Sequence, residues 1–147
     1  MGGKEINKDE VIQTLNGILE LELAGVVRYM HYSFMISGHH RIPVVGWMRE
    51  QAQEGMLHAS AAGEMITALG GHPSLKIGNL LETEKHGVNQ ILGEAMEHEK
   101  QAVALYYRLL EQVKDRQIRL EEYARAQIVE EELHISEIEK MMRPPAD

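Results

Sequence analysis

Cysteine is absent from all 147 residues, which rules out disulfides, iron–sulfur clusters and thiolate zinc sites. Any metal held by this chain must be held by carboxylate and imidazole. Proline occurs four times and phenylalanine once, and no stretch alternates polar and apolar residues as a half-buried strand does. No apolar run approaches the ~20 residues of a membrane span, and no charged-then-apolar leader opens the chain, so a cytoplasmic protein without a membrane partner is expected. Basic residues are in the minority, with 15 Lys and Arg against 23 Asp and Glu and a formal net charge of −8. That balance argues against a nucleic-acid partner and suits a protein that handles cations.

What is present is helix-forming: Leu, Glu, Ala, Met and Lys dominate. Breakers divide the chain into four long periodic segments, expected as helices over about residues 8–37, 44–69, 86–114 and 117–142. Asn7 followed by Glu10 reads as an N-cap with its reciprocating glutamate. The stretch from Gly38 to Pro43 separates the first two segments, and Gly70-Gly71-His72-Pro73 stops the second with a glycine C-cap followed by proline. A connection of roughly a dozen residues leads to the third segment, and a short turn near Asp115-Arg116 leads to the fourth. Short, long and short connections describe two antiparallel hairpins joined by a crossover. The expectation is therefore a single all-α domain over 1–147, an antiparallel four-helix bundle with a long crossover between helices two and three and no fifth helix.

A bundle helix turns an apolar residue to its core every three or four positions. The informative positions are those where that stripe carries a polar group. On the first helix, Ile12, Leu15, Leu19, Glu22, Val26, Tyr29 and Ser33 place Glu22 where a leucine belongs. On the third, Leu92, Ala95, Glu99, Ala102, Tyr106 and Leu109 enclose Glu99, while Glu94, Glu97 and His98 fall outside the register and are expected in solvent. On the fourth, Leu120, Ala124, Ile128, Glu131, His134 and Ile138 carry a Glu-x-x-His pair. The second helix admits two stripes: one runs through Trp47, Gln51, Glu54 and His58, and a slightly rotated one turns Gly55 inward in place of Glu54. His58 belongs to both.

Buried carboxylates must be protonated, paired or coordinated. Lys and Arg cluster at helix ends and outer faces, so metal coordination is the more economical neutralisation. Glu at i and His at i+3 project from one helix face toward one ion, and a glutamate from each other helix completes a two-metal cage. Singly, each of these residues is unremarkable: an inward Glu is commonly a surface residue in a misjudged register, and an inward His a hydrogen-bonded core histidine. Inward acids on all four helices, with His on the second and fourth, make the metal reading the stronger one.

The same residues resemble those of the bacterioferritins, within the ferritin-like di-iron carboxylate proteins. Leu21-Glu22-Leu23-Ala24 with Tyr29, Glu54-Gly55-Met56-Leu57-His58-Ala59, Leu69-Gly70-Gly71-His72-Pro73 and Glu130-Glu131-Glu132-Leu133-His134-Ile135 carry the likeness, which runs from about Asn7 to Met142. The resemblance implies metal ligands at Glu22, His58, Glu99, Glu131 and His134, with Glu131 bridging two ions. Glu54 is a further candidate ligand, and Glu97 is the rival to Glu99, which the apolar register favours. It also implies a di-iron oxidase in iron storage or detoxification. Two iron ions, or manganese or zinc, would bind, dioxygen or peroxide would be the oxidant, and Tyr29 would lie close enough to supply an electron or a hydrogen bond.

Three departures accompany it. Gly55 stands where the family has its other bridging glutamate, and Glu54 lies one residue earlier. Met56 stands at the family's haem-ligating methionine, so haem at a two-fold axis is a further cofactor to consider. No short fifth helix follows the fourth, so a homo-oligomer, at least a dimer, is expected rather than necessarily a cage. Rubrerythrin-like peroxidases share the bundle but carry a four-cysteine domain that this chain lacks. A non-catalytic metal- or haem-binding dimer with an altered second helix is the alternative.

Overall fold

The computed structural model describes residues 5–146. Its four α-helices are α1 (Lys8–Met35), α2 (Arg41–Ala68), α3 (Val88–Val113) and α4 (Ile118–Met142). No helix among the described residues is long and apolar enough to cross a membrane.

Local chemistry explains the ends. Asn7 caps α1, its side-chain oxygen accepting from the Glu10 backbone N–H at 3.2 Å. The helix ends at Met35 rather than Ser37, because Ile36 turns extended while its N–H still reaches Tyr32. The second helix begins earlier than its proline suggests, at Arg41: Pro43 lies in the first turn, where no N–H is needed. At its C-terminus Gly70 takes a φ of +82°. Its N–H bonds the Thr67 carbonyl and that of Gly71 bonds Ile66, each at 2.9 Å, which closes the helix in a Schellman motif. Gly71 then packs so tightly that a Cβ there would stand 2.9 Å from Ile12. Helix α3 begins at Val88 rather than His86, since Gly87, its N-cap, is extended. Asp115, at a φ of +59°, makes the turn into α4, and its N–H is held by the Glu121 carboxylate at 2.8 Å.

Helix α1 packs on α2 and α3, and α3 on α4. Glu54 meets His134 and His58 meets Glu130, so α2 and α4 also run antiparallel. The connection from α2 to α3 travels the length of the bundle as an extended strap pinned to α1. The Ser74 N–H bonds the Asn16 side chain at 2.7 Å and the Gly78 N–H bonds the Glu20 carbonyl at 2.9 Å.

The core divides into two apolar halves. One gathers Leu15, Ile18, Ala62, Ile66, Tyr106, Leu109 and Leu120. The other gathers Tyr29, Tyr32, Val45, Met48, Leu92, Ala95 and Ile138. Between them lies a belt of buried polar side chains: Glu22, Arg28, Gln51, His58, His98, Glu99 and Glu131. On α2 the rotated stripe is the buried one, through Met48, Ala52, Gly55, Ala59, Ala62 and Ile66.

Because glycine adopts a φ of +82° without strain and alanine does not, Gly70→Ala is expected to destabilise the chain by ~1–2 kcal/mol in urea unfolding. An unchanged midpoint would mean that the turn relaxes freely.

Candidate metal centre

One residue on each of α1, α3 and α4 brings a carboxylate into the polar belt: Glu22, Glu99 and Glu131, at 5%, 4% and 1% exposure. Each occupies a core register position, so the helix that buries its apolar neighbours buries it too. Two imidazoles face them. His58 Nδ1 lies 2.8 Å from Glu22 Oε2 and 3.4 Å from Glu131 Oε1. His134 Nδ1 lies 3.6 Å from Glu131 Oε2 and 3.9 Å from Glu99 Oε2. The result is two donor sets that share a residue, Glu22–His58–Glu131 and Glu99–Glu131–His134, with the ligand atoms of each within 4.8 Å of one another.

The outer nitrogen of each imidazole faces a carboxylate at the rim. His58 Nε2 is 2.8 Å from Glu130 and His134 Nε2 is 2.7 Å from Glu54, and the two rim carboxylates are about half exposed, at 51% and 44%. Tyrosines support the inner carboxylates: Tyr106 donates to Glu22 Oε2 at 2.8 Å, and Tyr29 donates to Glu99 Oε1. Glu131 Oε2 and His134 Nδ1 are buried without a hydrogen-bond partner among the described residues. Groups of that kind are costly to bury, and an acceptor oxygen facing an imidazole nitrogen across 3.6 Å is the donor chemistry a divalent cation completes. A cavity of about 10 Å³, lined by these residues, separates them.

The charges are tightly coupled. Burial opposes charge on His58, yet the hydrogen bonds and charges of Glu131 and Glu22 outweigh it and push its pKa up to about 11. Burial likewise opposes charge on His134, and Glu131 and Glu99 push it up to about 10. Burial, then the neighbouring Glu131, raises Glu99 to about 7. Burial would raise Glu131 too, but the neighbouring Glu99, His134 and His58 outweigh it and hold Glu131 below the usual range. Without metal, two imidazolium ions thus offset two of the three buried carboxylate charges, and the raised pKa of Glu99 lowers the cost of the third.

Most of the residues singled out in the sequence converge here: Glu22, Tyr29, His58, Glu99, Glu131 and His134 line the cavity, with Glu54 at its rim. Glu97 lies on the surface. Met56 is 49% exposed on the outer side of α2. Gly55, not Glu54, faces α1, where a Cβ would come within 3.0 Å of Val26 Cγ2.

His98 departs from expectation. It is buried at 3% exposure rather than solvated, because Gly25 on α1 leaves it room: a Cβ there would sit 2.5 Å from His98 Nε2. Arg28, also buried, was expected on an outer face. Its Nη1 faces His98 Nδ1 at 3.3 Å and its Nη2 donates to the Tyr32 hydroxyl at 2.9 Å. A guanidinium only donates, so His98 Nδ1 accepts and Nε2 carries the proton at the cavity wall. Burial, reinforced by Arg28, drives the His98 pKa down to about 4 and keeps the ring neutral. A small residue three positions after Glu22 on the same face was the available signal for this pocket.

The raised pKa values of His58 and His134 add stability that is complete below the unfolded histidine value of ~6.5 and is lost as pH climbs through their folded values. Urea unfolding of the chelated protein should therefore show lower stability at pH 9 than at pH 7; a flat profile would contradict the imidazolium pairing. Gly55→Ala forces Val26 aside and should cost ~1–3 kcal/mol by the same assay, whereas a stabilised variant would show that the α1–α2 contact has slack.

Comparison with known proteins agrees with this architecture. No functionally curated protein matches the chain. Among solved structures, a ferritin-like di-iron carboxylate protein from Bacillus anthracis superposes with a TM-score of 0.88 at 23% identity, over 92% of this chain and 97% of that one. The bacterioferritin of Rhodobacter capsulatus superposes with a TM-score of 0.79 at 26% identity, over 95% and 85%. A dodecameric thioferritin from Bacteroides fragilis, a bacterioferritin-related protein, gives 0.84 at 20%, over 92% and 86%. The family model for the ferritin-like domain matches residues 12–144, nearly the whole bundle, and the chain belongs to the ferritin-like family.

Proposed function

We propose that this protein binds two iron ions at the centre and oxidises Fe(II) with dioxygen or peroxide, in iron storage or detoxification. The observation that carries the proposal is the pair of donor sets meeting at Glu131. One carboxylate offered to two sites suits a bridging ligand, and all-oxygen-and-imidazole coordination suits iron or manganese, and also zinc. Glu22 and His58 would serve one ion, Glu99 and His134 the other, with Glu54 reaching the second from the rim.

Fe(II) is the substrate in this reading. Two ions each lose one electron, and together they reduce dioxygen to peroxide or peroxide to water. Ion binding requires neutral imidazoles, so His58 and His134 give up their protons on loading. The rim carboxylates Glu54 and Glu130 stand where cations arrive from solvent. Tyr29, hydrogen-bonded to Glu99, would orient that carboxylate and stand near enough to contribute an electron. A homo-oligomer is part of the proposal: Val27, Phe34, Met56 and Leu57 are large apolar side chains left exposed on α1 and α2, and the Bacteroides relative is described as dodecameric.

Gly55 favours a second reading. With no carboxylate at that position and Val26 packed against it, the centre could hold metal without turning over. Met56 on the outer side of α2 would then be a haem ligand of a non-catalytic dimer.

Aerobic addition of Fe(II), followed by ferric absorbance, separates the two. Oxidation should be fast in the parent chain and at least ~10-fold slower in Glu131→Gln, which keeps the shape but removes an anionic ligand oxygen. Equal traces would sink the oxidase reading. In that case two Fe(II) per chain bound anaerobically would sustain a metal-binding role, and a Soret band after haem incubation would bring Met56 into it.

A further inference from the structure

A second cluster of metal-ligating side chains lies outside the centre just described. His31 projects from α1, Glu82 from the strap and His86 from the residue before the Gly87 N-cap of α3. One ligand atom from each falls within 4.8 Å of the other two. His31 Nε2 and Glu82 Oε2 are 2.9 Å apart, and the His31 and His86 rings meet edge to face at 6.4 Å between centroids.

The fine geometry points to a missing partner. His31 Nε2 is shielded from solvent yet makes no hydrogen bond among the described residues, although Glu82 is at contact distance. The two groups touch without the alignment a hydrogen bond needs, so the nitrogen and the oxygen converge beside one another rather than on each other. Glu82 is set in this position by its own turn: the Glu84 N–H occupies Glu82 Oε1 at 2.6 Å, leaving Oε2 for His31. Leu81 and Glu84, with φ of +47° and +57° on either side, give the strap the local curvature that presents the carboxylate.

We propose that His31, Glu82 and His86 form an accessory binding site for a first-row divalent cation of the zinc(II) class, separate from the dinuclear centre. Two imidazoles and one carboxylate match zinc, with solvent water completing the shell on the open side. They do not match magnesium or calcium, which require oxygen cages. The ion would clamp the strap to α1 at the start of α3. The adjacent Thr83 hydroxyl already donates to Glu94 Oε2 at 2.6 Å, so the clamp and that bond would hold the same stretch of strap from both sides.

The test uses the full chain carrying Glu131→Gln, which weakens the dinuclear centre, with His86→Gln added in a second variant. His86 is exposed, so its replacement leaves the bundle packing intact. Zinc chloride titrated by calorimetry should show one more zinc equivalent per chain with His86 present, or affinity at least ~10-fold tighter. Amide exchange across residues 80–87 should slow on zinc addition only in that chain, and magnesium should do neither. Identical zinc stoichiometry and affinity in the two variants, or strap exchange indifferent to zinc, would overturn the site. Neither outcome bears on iron oxidation at Glu131.

Discussion

The structure depends on three carboxylates confined between two apolar half-cores. Glu22, Glu99 and Glu131 cannot be ionised together in that space without compensating positive charge, and each lies on a different helix. Their compensation comes from His58 on α2 and His134 on α4, so all four helices contribute to one electrostatic balance. The inner nitrogen of each histidine faces the shared carboxylates and the outer one faces a carboxylate at the rim. In the proposed metal-binding role, a cation entering the belt would take over the role of the imidazolium protons, so the same side chains would serve both the metal-free bundle and the loaded one.

Around this belt two glycines allow the close approach of neighbouring helices. Gly55 lets α2 press on Val26 of α1, and Gly25 lets α1 accept His98 of α3. Both donor sets reach the rim through an outer imidazole nitrogen, His58 toward Glu130 and His134 toward Glu54, and each rim carboxylate is about half exposed. A tyrosine holds an inner carboxylate of each set, Tyr106 on Glu22 and Tyr29 on Glu99. The two sets therefore differ in burial only modestly, His134 being 14% exposed against 8% for His58, and Glu131 is common to both.

What was legible in the sequence was whatever periodicity and charge report together. Glu22, Glu99 and Glu131 interrupt apolar stripes, and an interruption by a charged residue is visible without coordinates. The rotation of α2 was not legible, because Glu54 and Gly55 are neighbours on nearly one face and both stripes contain His58. Only the fit of Gly55 against Val26 decides it. Arg28 and His98 were missed for a related reason. Each is polar and off the main stripe, and their burial depends on pairing across two helices, with a glycine opposite. Single-helix periodicity carries no information about such a pair. The helix starts moved by two or three residues where a proline fitted a first turn or an extended glycine served as the N-cap.

The strap between α2 and α3 has more structure than its composition suggests, and its bonds lead inward. Thr83 donates to Glu94, whose other carboxylate oxygen accepts from Tyr32 at 3.3 Å. Tyr32 in turn accepts from Arg28, and Arg28 faces His98 at the cavity wall. The Glu94 carboxylate accepts one hydrogen bond on each oxygen, from Tyr32 and from Thr83, so the Tyr32 hydroxyl donates to it and is free to accept from Arg28. Arg28 can only donate, so His98 must present its Nε2 proton to the cavity. The tautomer of the buried His98 is therefore set by Arg28 alone, which Tyr32 and the Glu94 backbone carbonyl hold in place, while the Glu94 carboxylate links this group to the surface strap through Thr83.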